Sequence, residues 1–136
     1  MLAVQIINYM SNMNLRTAIP MLHVDDMEIA ITYYCEKLGF KKASEYRGDE
    51  LSPNPAYVVI TRDELWFHLS SFSGDGKPGG VAVLFVRDVD ALHREYESKG
   101  VHVGMEPVDQ SWGNKEMYLT DPFDNQLRFT QPLQSE

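Results

Sequence analysis

The sequence has one cysteine, few basic residues and no long apolar run. With Cys35 alone, the chain can form neither an internal disulfide nor a cysteine-ligated zinc site, and we expect a cytoplasmic protein. The 12 Lys and Arg against 20 Asp and Glu give a net charge of −8, which argues against nucleic acid and against an anionic membrane as partners. The apolar run at 2–7 is too short for a membrane span, and no basic residue precedes it as in a secretory signal.

The remaining composition is that of an ordinary globular domain. Of the 136 residues, 43% are hydrophobic and 24% are charged. We predict a loose, flexible N-terminal leader over residues 1–16, within which Met10 or Met13 is an alternative start, and a single domain over 17–132.

An internal repeat organises this domain. When Val24 is superposed on Val86, an aspartate two positions later and a tyrosine ten positions later also align. We therefore predict a first unit over 17–71, a Gly- and Ser-rich linker over 72–78 and a second unit over 79–132.

Each unit has the pattern strand, helix and three strands, which predicts an α+β fold built from two tandem βαβββ units. Asp25 or Asp26 is expected to cap the first helix, and Asp88 the second. The predicted strands are 17–23, 40–46, 56–61 and 65–70 in the first unit, and 79–86, 101–107, 115–120 and 126–131 in the second.

One helix per unit can cover only one face of its sheet, so the other face is free to curve and line a cleft. Alternation along 65–70 separates the side chains of that strand into two sets. The apolar set, expected to meet the helix, is Leu65, Phe67 and Leu69. The set expected to face the cleft and a ligand is Trp66, His68 and Ser70.

These features together resemble the vicinal oxygen chelate superfamily, which includes glyoxalase I, extradiol dioxygenases, and fosfomycin- and bleomycin-resistance proteins. The resemblance covers roughly 17–132 and includes Val-x-Asp before each helix, Leu-Gly-Phe at 38–40 and Asp-Pro-Phe-Asp-Asn at 121–125. It implies two units forming a curved sheet cleft. Asp124 stands where the family usually has glycine, and aspartate tolerates the left-handed conformation that this turn needs.

The resemblance also addresses metal binding. The ligand positions of the metal-dependent members fall on Ile19, His68, Val81 and Arg128, of which only His68 can coordinate a metal. A divalent metal needs at least about three protein ligands in such a site. We therefore expect no metal, no other cofactor and no catalytic residue.

Among metal-free members, the chain is most similar to the bleomycin-resistance proteins, on the stretches 64–70 and 115–117 and on Trp112 in its loop. The similarity implies a homodimer that sequesters a cationic, bleomycin-type antibiotic in a groove drawing on both chains. Metal-dependent enzymes of the glyoxalase or dioxygenase type and a small-molecule binder of unknown ligand remain alternatives.

The similarity assigns roles to individual residues. Trp66, Trp112 and Tyr118 would stack on flat rings, although Trp66 could instead be core and Tyr118 could face the helix. Glu116 and Asp109 would pair with amines, while Arg128 either neutralises a local acid such as Glu116 or marks an anionic ligand. The full predicted set is Trp66, His68, Ser70, Asp109, Trp112, Gly113, Glu116, Tyr118 and Arg128.

Overall fold

The computed structural model describes residues 2–133. It contains three α-helices and eight strands. The helices are α1 (Leu2–Ser11), α2 (Met27–Ile31), which continues as a π-helical segment over Thr32–Lys37, and α3 (Val89–Ser98). The strands are β1 (Met21–His23), β2 (Lys41–Arg47), β3 (Ala56–Arg62), β4 (Leu65–Ser70), β5 (Val81–Phe85), β6 (Met105–Asp109), β7 (Asn114–Thr120) and β8 (Gln126–Pro132).

The strands form two four-stranded sheets of equivalent topology, in the orders β1-β4-β3-β2 and β5-β8-β7-β6. Strand β1 runs parallel to β4, and β5 runs parallel to β8. All other neighbouring strands are antiparallel. The predicted pair of βαβββ units is therefore confirmed, since each sheet uses the strands of one unit.

Both main helices begin at an aspartate. The Asp26 carboxylate accepts hydrogen bonds from the backbone N–H groups of Glu28 and Ile29, so Asp26 rather than Asp25 is the cap. Asp88 accepts from Ala91 N–H in the same manner, as predicted.

A single core lies between the helices and the inner faces of the two sheets. Along α2 and its π-helical continuation, the residues Met27, Ala30, Tyr34 and Leu38 are buried at helical spacing. Phe67 and Leu69 are fully buried and Leu65 packs against the same core, which confirms that this set points to the helix side.

Polar contacts join the units at the β7–β8 turn. The buried Asp121 carboxylate accepts from Tyr34 Oη at 2.7 Å and from the backbone N–H groups of Phe123 and Asn125 at 2.8 and 2.9 Å. The Asn125 side-chain amide donates to the carbonyl of His23 in the first unit. Asp124 has a φ of 67°, so it adopts the left-handed conformation expected of it.

A second cross-unit contact lies at the β3–β4 turn. Arg62 donates to both carboxylate oxygens of Glu95 on α3, at 2.8 and 2.9 Å, and to the carbonyl of Leu38. Tyr96 Oη donates to the same carbonyl. The units therefore pack as one body through their helix sides.

The leader differs from the predicted loose segment, because Leu2–Ser11 forms a helix. Its apolar side chains are largely exposed, with Leu2 at 70% and Ile7 at 64%, and it lies outside the core. Within residues 2–133, no helix is long and apolar enough to cross a membrane.

Strand ends also differ from the prediction. The first strand is short because Pro20 has no N–H to give, although its carbonyl accepts from His68 N–H. The predicted strand 101–107 begins only at Met105, since the buried Val101 still belongs to the turn that closes α3.

Candidate functional site

Each sheet has a face turned away from the helices. We call the face carried by β1–β4 the first open face and that carried by β5–β8 the second open face. On β5, alternate residues Val81, Val83 and Phe85 are 54%, 54% and 66% exposed, while Ala82 and Leu84 are buried. Exposed apolar side chains in a row are unusual on a protein surface that meets only water.

A hydrogen-bonded cluster centred on Glu116 lies on the second open face. Trp112 Nε1 and Asn114 Nδ2 donate to Glu116 Oε2 at 2.9 and 3.3 Å, and Tyr118 Oη donates to Oε1 at 2.7 Å. Glu116 is only 6% exposed, whereas Trp112 is 62% exposed. The carboxylate thus holds the indole in place while the ring remains open to a ligand.

The cluster keeps Glu116 ionised. Burial acts to raise the pKa of this carboxyl, but the hydrogen bonds from Trp112, Tyr118 and Asn114 outweigh it, and the net pKa is lowered. The same contact raises the pKa of the Tyr118 hydroxyl, because its proton is held by a carboxylate.

Arg128 lies beside this cluster on the neighbouring strand, directly opposite Tyr118 in the β7–β8 register. Its guanidinium carbon is 4.9 Å from the centre of the Tyr118 ring, and its Nε donates to Gln126 Oε1 at 2.6 Å. Tyr118 therefore faces the open side and not the helix.

Trp66 and His68 lie on the first open face. Trp66 is 46% exposed, so it is not a core residue. His68 Nδ1 is 2.6 Å from Tyr57 Oη, and the Tyr57 hydroxyl is also 3.5 Å from Met21 Sδ. The predicted residues of the two units therefore occupy two separate sheets.

Three predicted residues do not present their side chains on an open face. Ser70 is fully buried, and its hydroxyl donates to Asp75 and accepts from Phe72 N–H, so it anchors the linker instead of meeting a ligand. Asp109 pairs in register with Lys115, which bonds to Asp90 on α3, and therefore lies on the helix side. Gly113 has a φ of 95° and serves the β6–β7 turn.

The predicted pairing of Glu116 and Asp109 with ligand amines stays a prediction, and the surroundings of the two acids bear on it. Glu116 is buried and already accepts three hydrogen bonds, and Asp109 points to the other side of the sheet. Within residues 2–133 no carboxylate oxygen lies within 4.0 Å of the Arg128 nitrogens, but the charge of Arg128 helps to lower the pKa of Glu116.

The side chains at the family's metal positions do not fit a divalent metal. His68 already contacts the Tyr57 hydroxyl, Ile19 and Val81 have no donor atom, and Arg128 is a cation. Among residues 2–133, the one group of three possible ligands with atoms within 4.8 Å of one another is His93, Glu97 and Glu106. It lies on α3 and β6, away from His68.

Several residues of the open faces were missed by the sequence analysis. Val83 and Phe85 were assigned only to a strand, and Val81 only to that strand and to a metal position that it cannot fill, although apolar residues at every position of 81–85 could have indicated a face that needs covering. Tyr57 could not be found from sequence, because its contact with His68 depends on the β3–β4 register.

A crevice of about 730 Å³ opens elsewhere, between the β3–β4 turn and α3. Arg62 and Glu95 line it, and Phe85 connects it with the end of the second open face. None of the predicted ligand-binding residues lines this crevice.

Comparison with known proteins gives relatives of matching length. Bleomycin resistance proteins of Geobacillus stearothermophilus and Staphylococcus aureus are each 26% identical to this chain over 137 aligned positions, which cover 87% of it and 98% of the relative.

Solved structures share the fold. A bleomycin-binding protein complexed with bleomycin has a TM-score of 0.68 at 22% identity, covering 86% of this chain and 98% of that one. TnmS3, an antibiotic-binding protein from a Streptomyces species, has a TM-score of 0.71 at 20% identity, with coverages of 89% and 99%. A glyoxalase-related enzyme from Clostridium phytofermentans has a TM-score of 0.72 at 23% identity, with coverages of 89% and 98%.

The fold alone does not choose among these activities, since binding proteins and an enzyme share it. The family is nevertheless settled, because the sequence model of a family described as glyoxalase superfamily protein matches residues 4–136. With its paired βαβββ units and this nearly full-length match, the protein belongs to the glyoxalase superfamily.

Proposed function

We propose that this protein is a metal-free binding protein that sequesters a bleomycin-type antibiotic, and so confers resistance without chemically changing the drug. The observation that carries the proposal is the exposed Trp112 ring, oriented by its hydrogen bond to the buried Glu116. A ring fixed in advance loses little conformational entropy when a flat ligand stacks on it. The named bleomycin resistance relatives support the same ligand class.

The proposal excludes a catalytic role. The metal positions carry aliphatic side chains and a guanidinium, so the chelation that the metal-dependent members use has no ligand set on the open faces. The relatives named above from the sequence comparison, of Geobacillus stearothermophilus and Staphylococcus aureus, are bleomycin resistance proteins, which supports the same interpretation.

The proposed binding groove lies between two copies of the chain. Val81, Val83 and Phe85 leave an apolar row on the second open face, and Trp66 is exposed on the first. Pairing the first open face of one copy with the second open face of another would bury both and create two equivalent grooves. We propose a homodimer in the cytoplasm, where a lone cysteine is stable as a thiol.

Isothermal titration with bleomycin tests the proposal. Binding is expected for the unaltered protein, and Trp112→Ala is expected to weaken it by more than about 1 kcal/mol, as for a central aromatic anchor. Leu51→Ala is the matched control, since Leu51 is 96% exposed on the β2–β3 loop and its loss should leave the affinity unchanged.

Two results would reject the proposal, and a third would change the residues of the groove. Absence of binding heat at saturating bleomycin would remove this antibiotic class as the ligand. A stoichiometric divalent metal that copurifies with the protein and is lost in His68→Ala would indicate an enzyme instead. An unchanged dissociation constant in Trp112→Ala would remove Trp112 from the groove.

A further inference from the structure

The open faces carry a different balance of charge from the whole molecule. The chain has a net charge of −8. Strand register and alternation place Lys41 and Arg128 on the open faces, and Glu116 is the one acidic residue of β1–β8 on the same side, since Glu106 lies beside His93 and Glu97 of α3. The acidic surplus of the molecule thus lies away from the proposed groove.

Glu116 does not offer its charge to a ligand. Its oxygens accept from Trp112, Asn114 and Tyr118, and it is 6% exposed. A ligand amine would have to displace these donors to reach it, and would gain little from a carboxylate that is already satisfied.

Arg128, by contrast, retains free donors. Its Nε is used by Gln126, while the terminal nitrogens, which lie over the Tyr118 ring side, form no hydrogen bond within the described part of the chain. Stacking on Tyr118 holds the planar guanidinium in one orientation. Val83, its register partner on β5, supplies an apolar neighbour that is 54% exposed.

The first unit repeats the arrangement. Met21 pairs with His68 as Val83 pairs with Arg128, and Met21 and Val83 are equivalent under the repeat. Each open face therefore presents a nitrogen-bearing side chain at the same register position, next to a tyrosine of the neighbouring strand.

We propose that, besides a bleomycin-type antibiotic, this groove accepts ligands that carry an anionic group on a flat apolar ring system, and that Arg128 binds this group. The inference rests on the proposed function only in taking the second open face as the ligand surface. The ring would lie against Trp112 and the apolar row of β5, and the acid would meet the terminal nitrogens of Arg128.

A pair of fluorescent probes with one ring skeleton tests the inference on the full-length protein. Anilinonaphthalene sulfonate carries an anionic group, and phenyl-naphthylamine is its uncharged parent. Arg128→Gln is expected to weaken binding of the sulfonate by about tenfold, the loss of one charge-assisted hydrogen bond, and to leave the uncharged probe unchanged. Arg94→Gln, an exposed arginine on α3, is the control that should affect neither probe.

Equal effects of Arg128→Gln on both probes, or equal effects of the two arginine variants on the sulfonate, would overturn the inference. Bleomycin titration is read separately. Bleomycin binding without an Arg128-dependent preference for the sulfonate would overturn the inference and leave the antibiotic proposal standing. The preference without bleomycin binding would support the inference and reject the antibiotic.

Discussion

At the scale of single residues, the site is decided by which polar groups already have partners. Glu116 and Ser70 were both expected to meet a ligand, yet their hydrogen bonds are used within the protein. Trp112 and Arg128 remain open because only one edge of each is engaged, the indole N–H and the Nε. The proposed groove would therefore offer a ligand aromatic surface and guanidinium donors.

Glu116 should make stability depend on pH. Because its pKa is lowered in the folded protein from an ordinary value of 4.5, its contribution is present above that value and is lost as the pH falls through the lower folded pKa. Glu116→Gln should therefore be less stable than the unaltered protein at neutral pH, and the difference should shrink as the pH falls below the ordinary value and through the lower folded pKa.

Urea unfolding at a series of pH values measures this difference. Glu64→Gln, an exposed glutamate on the β3–β4 turn, provides the comparison and should track the unaltered protein. A Glu116→Gln difference that stays constant with pH would mean that the hydrogen-bonded carboxylate does not stabilise the fold.

At the scale of elements, α2 illustrates how neighbouring tyrosines can differ. Tyr34 donates to the buried Asp121 carboxylate, whereas the buried hydroxyl of Tyr33 has no hydrogen-bond partner within residues 2–133. Burial first, and then the negative charge of Asp121, raises the pKa of both hydroxyls, so both stay protonated at neutral pH.

Removal of the Tyr34 hydroxyl and removal of the Tyr33 hydroxyl should therefore differ in their effect on the free energy of unfolding. Tyr34→Phe leaves a buried carboxylate with one donor fewer and should lower the free energy of unfolding by about 1–3 kcal/mol. Tyr33→Phe removes an unsatisfied group and should leave stability unchanged or raise it. Thermal and urea unfolding of the two variants test the contrast, and equal losses would argue against the Tyr34–Asp121 bond.

Local patterns predicted most of these elements but not their partners. The buried stripe of α2, the cap at Asp88 and the inward set on β4 follow from periodicity within a few residues. The Tyr34–Asp121 bond joins residues 87 positions apart, and no local pattern indicates it. Helix α1 was missed because residues 1–16 were interpreted as a loose leader, although Ala3, Ile6 and Ile7 have helical spacing.

The same limit applies to the site. Alternation placed Trp66 and His68 on the open side correctly, but it could not show that Ser70 at the end of that strand would be covered by the linker. Similarly, Asp109 lies close in sequence to the loop that carries Trp112, but its side chain lies on the helix side of the sheet.

At the scale of the whole molecule, the open faces argue for assembly. An apolar row on β5 exposed to water costs free energy that a second copy would recover. The cross-unit bonds on the helix sides leave the open faces as the surfaces available for such pairing.

A charge placed in this apolar row should prevent formation of the proposed dimer. Val83→Asp is expected to convert the protein to a monomer with its fold retained, because Val83 is 54% exposed in the single chain. Light scattering coupled to size-exclusion chromatography measures the mass, and circular dichroism checks the fold. Leu51→Asp should remain dimeric, and a monomeric unaltered protein would contradict the proposed groove.

The contacts between the two units differ in charge, although they arise at equivalent positions of the repeat. Arg62 and Asp121 end equivalent strands, yet one brings a cation to Glu95 and the other an anion to Tyr34. Two copies of the first half would set Arg62 against Tyr33, which the repeat places where the other half has Glu95. The two contacts therefore favour the packing of each unit against the other unit over the packing of two identical units.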